Sequence, residues 1–325
     1  MIIGLALLAY AFFAGVLGPR LARRARWPER APLLAIVGYL AGAWSVIAAI
    51  ALAGLSLAVH ATALGGGLSS LVGACVRRLR YTYNTPGGTS VALLGLGLAG
   101  FVLVGVVLTG FRRLHTARRE ALFHAETAQL VGRFVPALGA VVVDDSRPAA
   151  YCVAGPQPTV VLTTGAQRLL NPAQLAAVLA HEKAHLAARH HLLMTLARTG
   201  RLALPFIPLL READAQVARL TELHADDAAV RALSSSSLSC SPSCGPLASA
   251  LVILATGGAH QSPAMAAAAA DVTRRVVRLL RPAEPLGGAQ RLLLRAGFFA
   301  LALSPVLLAL APALVALALG PVPPA

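Results

Sequence analysis

Hydrophobic and polar positions divide the chain into long apolar runs and one mixed stretch. Residues 1–18 carry no charge, nor do residues 31–59. Residues 88–111 are apolar from Val91 onward, and residues 296–325 carry no charge. A bilayer-spanning helix needs about 20 predominantly apolar residues, so the pattern predicts spans at about 1–18, 31–55 and 89–111, and a fourth within 292–325. The first run reads poorly as a signal peptide, because no basic segment precedes it and Arg20 to Arg26 follow it. Between the third and fourth spans lies a mixed region, 112–291. Here residues 139–143 and 158–163 read as strands, separated by a turn at Asp144–Pro148. Asn171 reads as an N-cap with Pro172 at the first helical position. The helix it opens is predicted to run to about Thr199, with Ala187, Ala188 and Arg189 continuing it. A further helix is expected from about Leu209 to Leu233, a loop over Ser234–Pro246, and helices over 247–256 and 264–281.

Composition agrees with a membrane chain. Of the 325 residues, 57% are hydrophobic and 13% charged, and mean hydropathy is +0.71. A soluble domain carries roughly 25% charged residues, so an ordinary soluble enzyme and a disordered chain are both excluded. The net charge of +15 invites a nucleic-acid reading, but the positions of the arginines argue against direct nucleic-acid binding. Arg20, Arg23, Arg24, Arg26 and Arg30 lie between the first two spans, and Arg112, Arg113, Arg118 and Arg119 follow the third. Arg274, Arg275, Arg278, Arg281, Arg291 and Arg295 precede the fourth, whereas the loop between spans two and three holds only Arg77, Arg78 and Arg80. Basic loops stay cytoplasmic. The predicted topology therefore puts the N-terminus outside, 112–291 in the cytoplasm and the C-terminus outside. The arginines are read as topology signals and anchors to the anionic lipids of the bilayer.

The chemistry is concentrated in the helix after Asn171, which contains His181-Glu182-Lys183-Ala184-His185. Histidines at i and i+4 are about 40° apart around a helix, so both imidazoles face one metal ion. Two imidazoles suit zinc, and a neighbouring carboxylate can deprotonate a water that zinc has acidified to a pKa of about 7. Two residues compete as third ligand. His191 has the spacing of a metzincin, but that geometry needs a glycine where Ala188 stands. On an unbroken helix His190 and His191 point about 140° and 120° away from His185. Glu222 is the better candidate. It precedes Asp226 by four residues, so the two share a face, and Asp226 can then hold the second nitrogen of a ligand histidine. Glu212 and Asp214 read as surface acids.

The run from Leu179 through His181-Glu182-Lys183-Ala184-His185 to Arg189-His190-His191, with Glu222-Leu223-His224-Ala225-Asp226-Asp227, resembles the membrane gluzincins of the BlaR/MecR type. These are related to the CAAX prenyl proteases and heat-shock membrane proteases. The resemblance implies a mainly α membrane protein of about four transmembrane helices (three in 1–111, one in 292–325). Residues 112–291 would form a cytoplasmic α+β zincin-like metalloprotease domain with a small strand pair. It also implies one zinc ion held by His181, His185 and Glu222, Glu182 as general base and acid, and Asp226 steadying a ligand histidine. The expected activity is zinc-dependent endopeptidase cleavage of a cytoplasmic or membrane protein in the bacterial plasma membrane. The substrate would be a transcriptional repressor in a signalling pathway, or a membrane protein under quality control. The competing reading is a non-catalytic membrane receptor that retains the metal site. Relatives offer an edge strand to substrate, which would fall near Val160–Thr163.

The remaining candidates are weaker. The only lysine is Lys183, so the Ser-x-x-Lys nucleophile of a penicillin-sensing domain is absent and direct β-lactam sensing by this chain is not expected. Cys75, Cys152, Cys240 and Cys244 read as structural or free thiols; Cys240 and Cys244 resemble half a zinc site without a second pair. Lys183 and Arg189 read as a solvated helix face. Sequence spacing places neither Arg147 nor Tyr151 at the metal.

Overall fold

The computed structural model describes residues 2–58, 88–155, 157–236, 244–257, 263–281 and 284–319. Helix α1 is Ile2–Arg24, α2 is Pro32–Ala58 and α3 is Gly88–Val131. Strands β1 (Gly132–Val135), β2 (Ala140–Val143), β3 (Ala150–Val153) and β4 (Thr159–Thr163) follow. Then come α4 (Thr164–Leu169), α5 (Pro172–Ala187), α6 (His190–Ala203) and α7 (Pro208–Ser236). The chain continues through α8 (Cys244–Gly257), α9 (Pro263–Leu280) and α10 (Gly288–Leu319). Arg77, Arg78, Arg80, Cys75 and Cys240, and most of the loop expected over Ser234–Pro246, lie outside the described residues.

Among the described residues, four helices (α1, α2, α3 and α10) are long and apolar enough to cross a bilayer. Helix α2 lies among the others and packs against α1, α3, α10 and α7. Its partners leave large apolar side chains uncovered, among them Phe12, Phe13, Leu94, Phe101, Phe111 and Phe299. Helix α3 runs 44 residues without interruption, through Arg112 and on to the first strand, so its apolar half and its polar half form one rod.

The sheet is a correction to the expected strand pair. It has four strands in the order β1-β2-β4-β3. The two strands legible in the sequence, β2 and β4, lie side by side and parallel in the middle, with β1 and β3 antiparallel at the edges. Val160–Thr163 is therefore interior, and the edge on that side is β3. Alternation along β4 covers both faces of the sheet. Val160 and Leu162 face α5, packing with Leu179 and Val178, whereas Val161 packs with Ala128 of α3. The β1–β2 hairpin closes on Gly139, whose φ of 58° is the left-handed conformation glycine adopts without cost.

Asn171 caps α5 as expected. Its side chain accepts from the Gln174 backbone, and Gln174 reaches back to the Asn171 backbone, which is a capping box with proline at the first position. The second correction lies at the other end of this helix. The predicted single helix to Thr199 divides at Ala188–Arg189, and Arg189 takes a left-handed φ of 50°. A new helix then starts at His190.

Candidate metal centre

Helix α5 presents His181 and His185 on one face, and α7 runs beside it with Glu222 opposite them. The His181 and His185 Nε2 atoms are 3.1 Å apart. Glu222 Oε2 lies 3.6 Å from the first and Oε1 3.5 Å from the second. Two imidazoles and a carboxylate are a zinc-type donor set. Tetrahedral ligands about 2.0–2.1 Å from one ion stand about 3.3 Å apart from each other, which the three separations bracket. The three residues thus form a possible metal site, and the donor set fits a zinc ion. His191 is exposed and on the other side of the Arg189 break, while Glu222 occupies the third position.

Asp226 is fully buried one turn beyond Glu222, with Oδ1 3.0 Å from His181 Nδ1. Burial disfavours charge on His181, but Asp226 and Glu222 outweigh it and raise its pKa to about 9 in the metal-free form. His185 is pushed the other way, to about 4, chiefly by desolvation.

Arg275, on α9, was expected to be a membrane-flanking arginine. Instead it is 8% exposed and grips Asp226 with two hydrogen bonds of 2.9 and 2.7 Å. Its third nitrogen lies 2.9 Å from Glu222. Burial alone would raise the carboxyl pKa of both acids; the hydrogen bonds and charge of Arg275 and His181 reverse the sign and lower both. The next arginine on the same face, Arg278, binds Asp227. Arg219 pairs with Glu29, Arg23 with Glu212 and Arg201 with Asp214. These arginines tie carboxylates within the protein, which corrects the reading of Arg275 and Arg278 as lipid anchors and gives the surface acids Glu212 and Asp214 arginine partners. The sequence held one clue to Arg275 and Arg278: they sit at i and i+3 on a helix, as Asp226 and Asp227 sit together on α7.

Glu182 is beside the metal face and half-buried, and burial raises its pKa. Cys152 of the edge strand β3 lies close enough for its thiol and backbone to oppose that rise, while the Glu182 carboxylate helps to push the Cys152 thiol up. A groove of about 990 Å³ runs along that edge between α3 and the α5–α6 junction. Cys152, Tyr151, Arg118, His124, Arg189 and His191 line it. Tyr151 and Arg189 are thus at the groove. Arg147 is exposed and paired with Asp145. Lys183 reaches the Leu138 carbonyl. Cys152 and Cys244 are free thiols.

His190 is the residue that the sequence reading misplaced most. The break at Arg189 folds it back beneath His185, fully buried. Its Nδ1 is 2.9 Å from His185 Nδ1 and its Nε2 is 2.9 Å from His224 Nδ1. Burial and the neighbouring His185 and His224 push its pKa down to about 3, so the ring is neutral.

H-E-x-x-H on one helix, a glutamate from a second helix and a small sheet alongside make a metallopeptidase-type arrangement. Consistent with this, residues 115–213 match the sequence profile of Peptidase family M48. The match takes in α5 with His181, Glu182 and His185 and stops before Glu222. No curated protein and no solved structure matches the chain.

Proposed function

We propose that this chain is a membrane-embedded, zinc-dependent endopeptidase, with its active site facing the cytoplasm. The observation that carries the reading is the convergence of His181, His185 and Glu222, with Glu182 next to His181 and close to Cys152, which lines the groove. Zinc bound there would polarise the scissile carbonyl and acidify the attacking water. The protein's own residues do the rest. His181, His185 and Glu222 hold the ion, and Asp226 with Arg275 fixes His181 and Glu222. The Glu182 carboxylate takes a proton from the water and passes it to the leaving amine. Burial raises the pKa of Glu182 and so makes it a stronger base. The substrate backbone lies along the open edge of β3, where Cys152 is close to Glu182. Kinship with the BlaR/MecR type would make the substrate a cytoplasmic repressor, and kinship with the heat-shock proteases a damaged membrane protein. The four apolar helices and the basic loops support the bilayer and the sidedness.

The test is Glu182→Gln in the full chain. Zinc content is expected to stay at one ion while cleavage falls at least about 100-fold, the lower range for losing a general base. Unchanged turnover would refute the assignment. His181→Ala and Glu222→Ala are expected to lose zinc. Proteins that accumulate in cells carrying only the Glu182→Gln form identify the substrate.

A further inference from the structure

Two nitrogens 2.9 Å apart in a pair of imidazoles must be one donor and one acceptor. The chain His185–His190–His224 contains two such contacts in series, and one end of it is constrained. If His185 turns Nε2 to the ion, its hydrogen sits on Nδ1. His185 Nδ1–H then donates to His190 Nδ1. That leaves the His190 hydrogen on Nε2, which donates to His224 Nδ1. Every ring in the series is neutral, and each of the two contacts pairs one donor with one acceptor. The middle ring has no exposed surface, so water cannot substitute for either partner.

The backbone is bent to make this contact. Arg189 has the only positive φ among the described non-glycine residues, a conformation that costs about 1–2 kcal/mol for a residue with a Cβ. Without that turn His190 would continue around α5 and face away from His185. The two ligand histidines are thus backed by different groups: His181 by the Asp226 carboxylate, itself gripped by Arg275, and His185 by a relay of imidazoles.

We propose that His190, supported by His224, is a positioning residue that fixes the tautomer and ring plane of His185 and thereby sets the affinity of the metal centre. This rests on the reading that His185 is a ligand through Nε2. His190 touches neither substrate nor metal; its effect is transmitted through His185.

The experiment uses the full chain in detergent and measures zinc affinity by competition with a chromogenic chelator. His190→Leu keeps bulk without an acceptor, and is expected to weaken zinc binding about 10- to 100-fold. His190→Gln can accept from His185 Nδ1–H through Oε1 and donate to His224, and is expected to return affinity to within about threefold of wild type. Equal weakening in both variants would reduce His190 to a space-filling role and overturn the proposal, as would wild-type affinity in His190→Leu. Should either variant fail to fold, nitrogen-15 NMR of histidine-labelled wild type decides. Hydrogen on Nδ1 of His185 but on Nε2 of His190 and His224 is expected, and Nδ1 protonation of His190 refutes the proposal. Unaltered zinc binding in His181→Ala would instead overturn the metal-centre reading itself, and this inference with it. Normal loss in His181→Ala, with no effect at His190, overturns this inference alone.

Discussion

Arg275 contacts two carboxylates, Glu222 at the candidate metal position and Asp226 behind His181, and its loss would strand both. Removing one partner of a buried ion pair typically costs about 3–5 kcal/mol. Arg275→Met, which preserves the bulk of the side chain, is therefore expected to lower Tm by several degrees and to weaken zinc together with it; an unchanged Tm would show that the pair is dispensable. The same pair has a pH signature. The folded-state pKa of Asp226 lies below its unfolded value, so its contribution is complete above about pH 4. It fades as pH falls through the lower folded value, and the metal-free chain should lose Tm on acidification in that window. Cys152 behaves oppositely. Burial first, then the Glu182 carboxylate, pushes its thiol up to about 12, so it stays protonated at pH 9, where a free cysteine is largely thiolate. In a chain whose other cysteines are replaced by serine, iodoacetamide should label Cys152 slowly at pH 9. Glu182→Gln should speed that labelling by removing one anionic neighbour; no acceleration would place the two groups apart. At this scale the sequence showed which donors converge, His181, His185 and Glu222, because H-E-x-x-H and Glu-x-x-x-Asp are local patterns that helix periodicity turns into geometry. It did not show Arg275, because the pairing joins α7 to α9 across 49 positions and no local period encodes it.

Elements were legible to the extent that their signals were local. The Asn171–Pro172 cap, the four apolar runs and the two strands β2 and β4 stand where hydropathy and turn chemistry put them. The edge strands β1 and β3 were missed because each is four residues long and only tertiary pairing makes them strands. The α5–α6 break was missed because neither glycine nor proline marks it, and the contacts of His190 override the helix-forming preference of Ala187-Ala188-Arg189. Packing between α2 and α3 depends on a signal visible in sequence but not interpretable there. A Cβ on Gly54 would lie 2.5 Å from the Gly95 carbonyl oxygen, and one on Gly95 would lie 2.6 Å from that of Gly54. The two helix backbones touch, as small residues permit in apolar helix pairs. Gly95→Leu is expected to force these helices apart and to lower Tm and yield in detergent. Gly97→Leu is the control: nothing lies near that position, and it should leave both unchanged. Equal behaviour of the two variants would mean that the crossing is loose.

The largest core cluster crosses between the apolar helices and the catalytic layer. Leu7 of α1 and Ile36 and Val46 of α2 share one cluster with Leu210, Val217, Leu220 and Leu223 of α7. Glu222 lies between the last two, so the helix that carries the third donor of the candidate site is held by side chains from the helices proposed to cross the bilayer. Leu210, Val217 and Leu220 have no exposed surface. Uncovering three such side chains would cost roughly 5–9 kcal/mol at about 1.5–3 kcal/mol each, an upper bound because an unfolded chain already buries part of its surface. A whole domain is stable by only about 5–15 kcal/mol. The polar stretch 112–291, which hydropathy alone marks as a separable catalytic unit, is therefore expected not to stand by itself. Expressed alone, it should aggregate or bind zinc far more weakly than the full chain, with α7 as the element that loses protection from hydrogen exchange. A monodisperse fragment with full-chain zinc affinity would show that α1 and α2 serve only as anchors. If the expectation holds, the apolar helices are part of the metal centre, because the position of Glu222 depends on their packing, and a change in that packing would reach the ligand through Leu220 and Leu223.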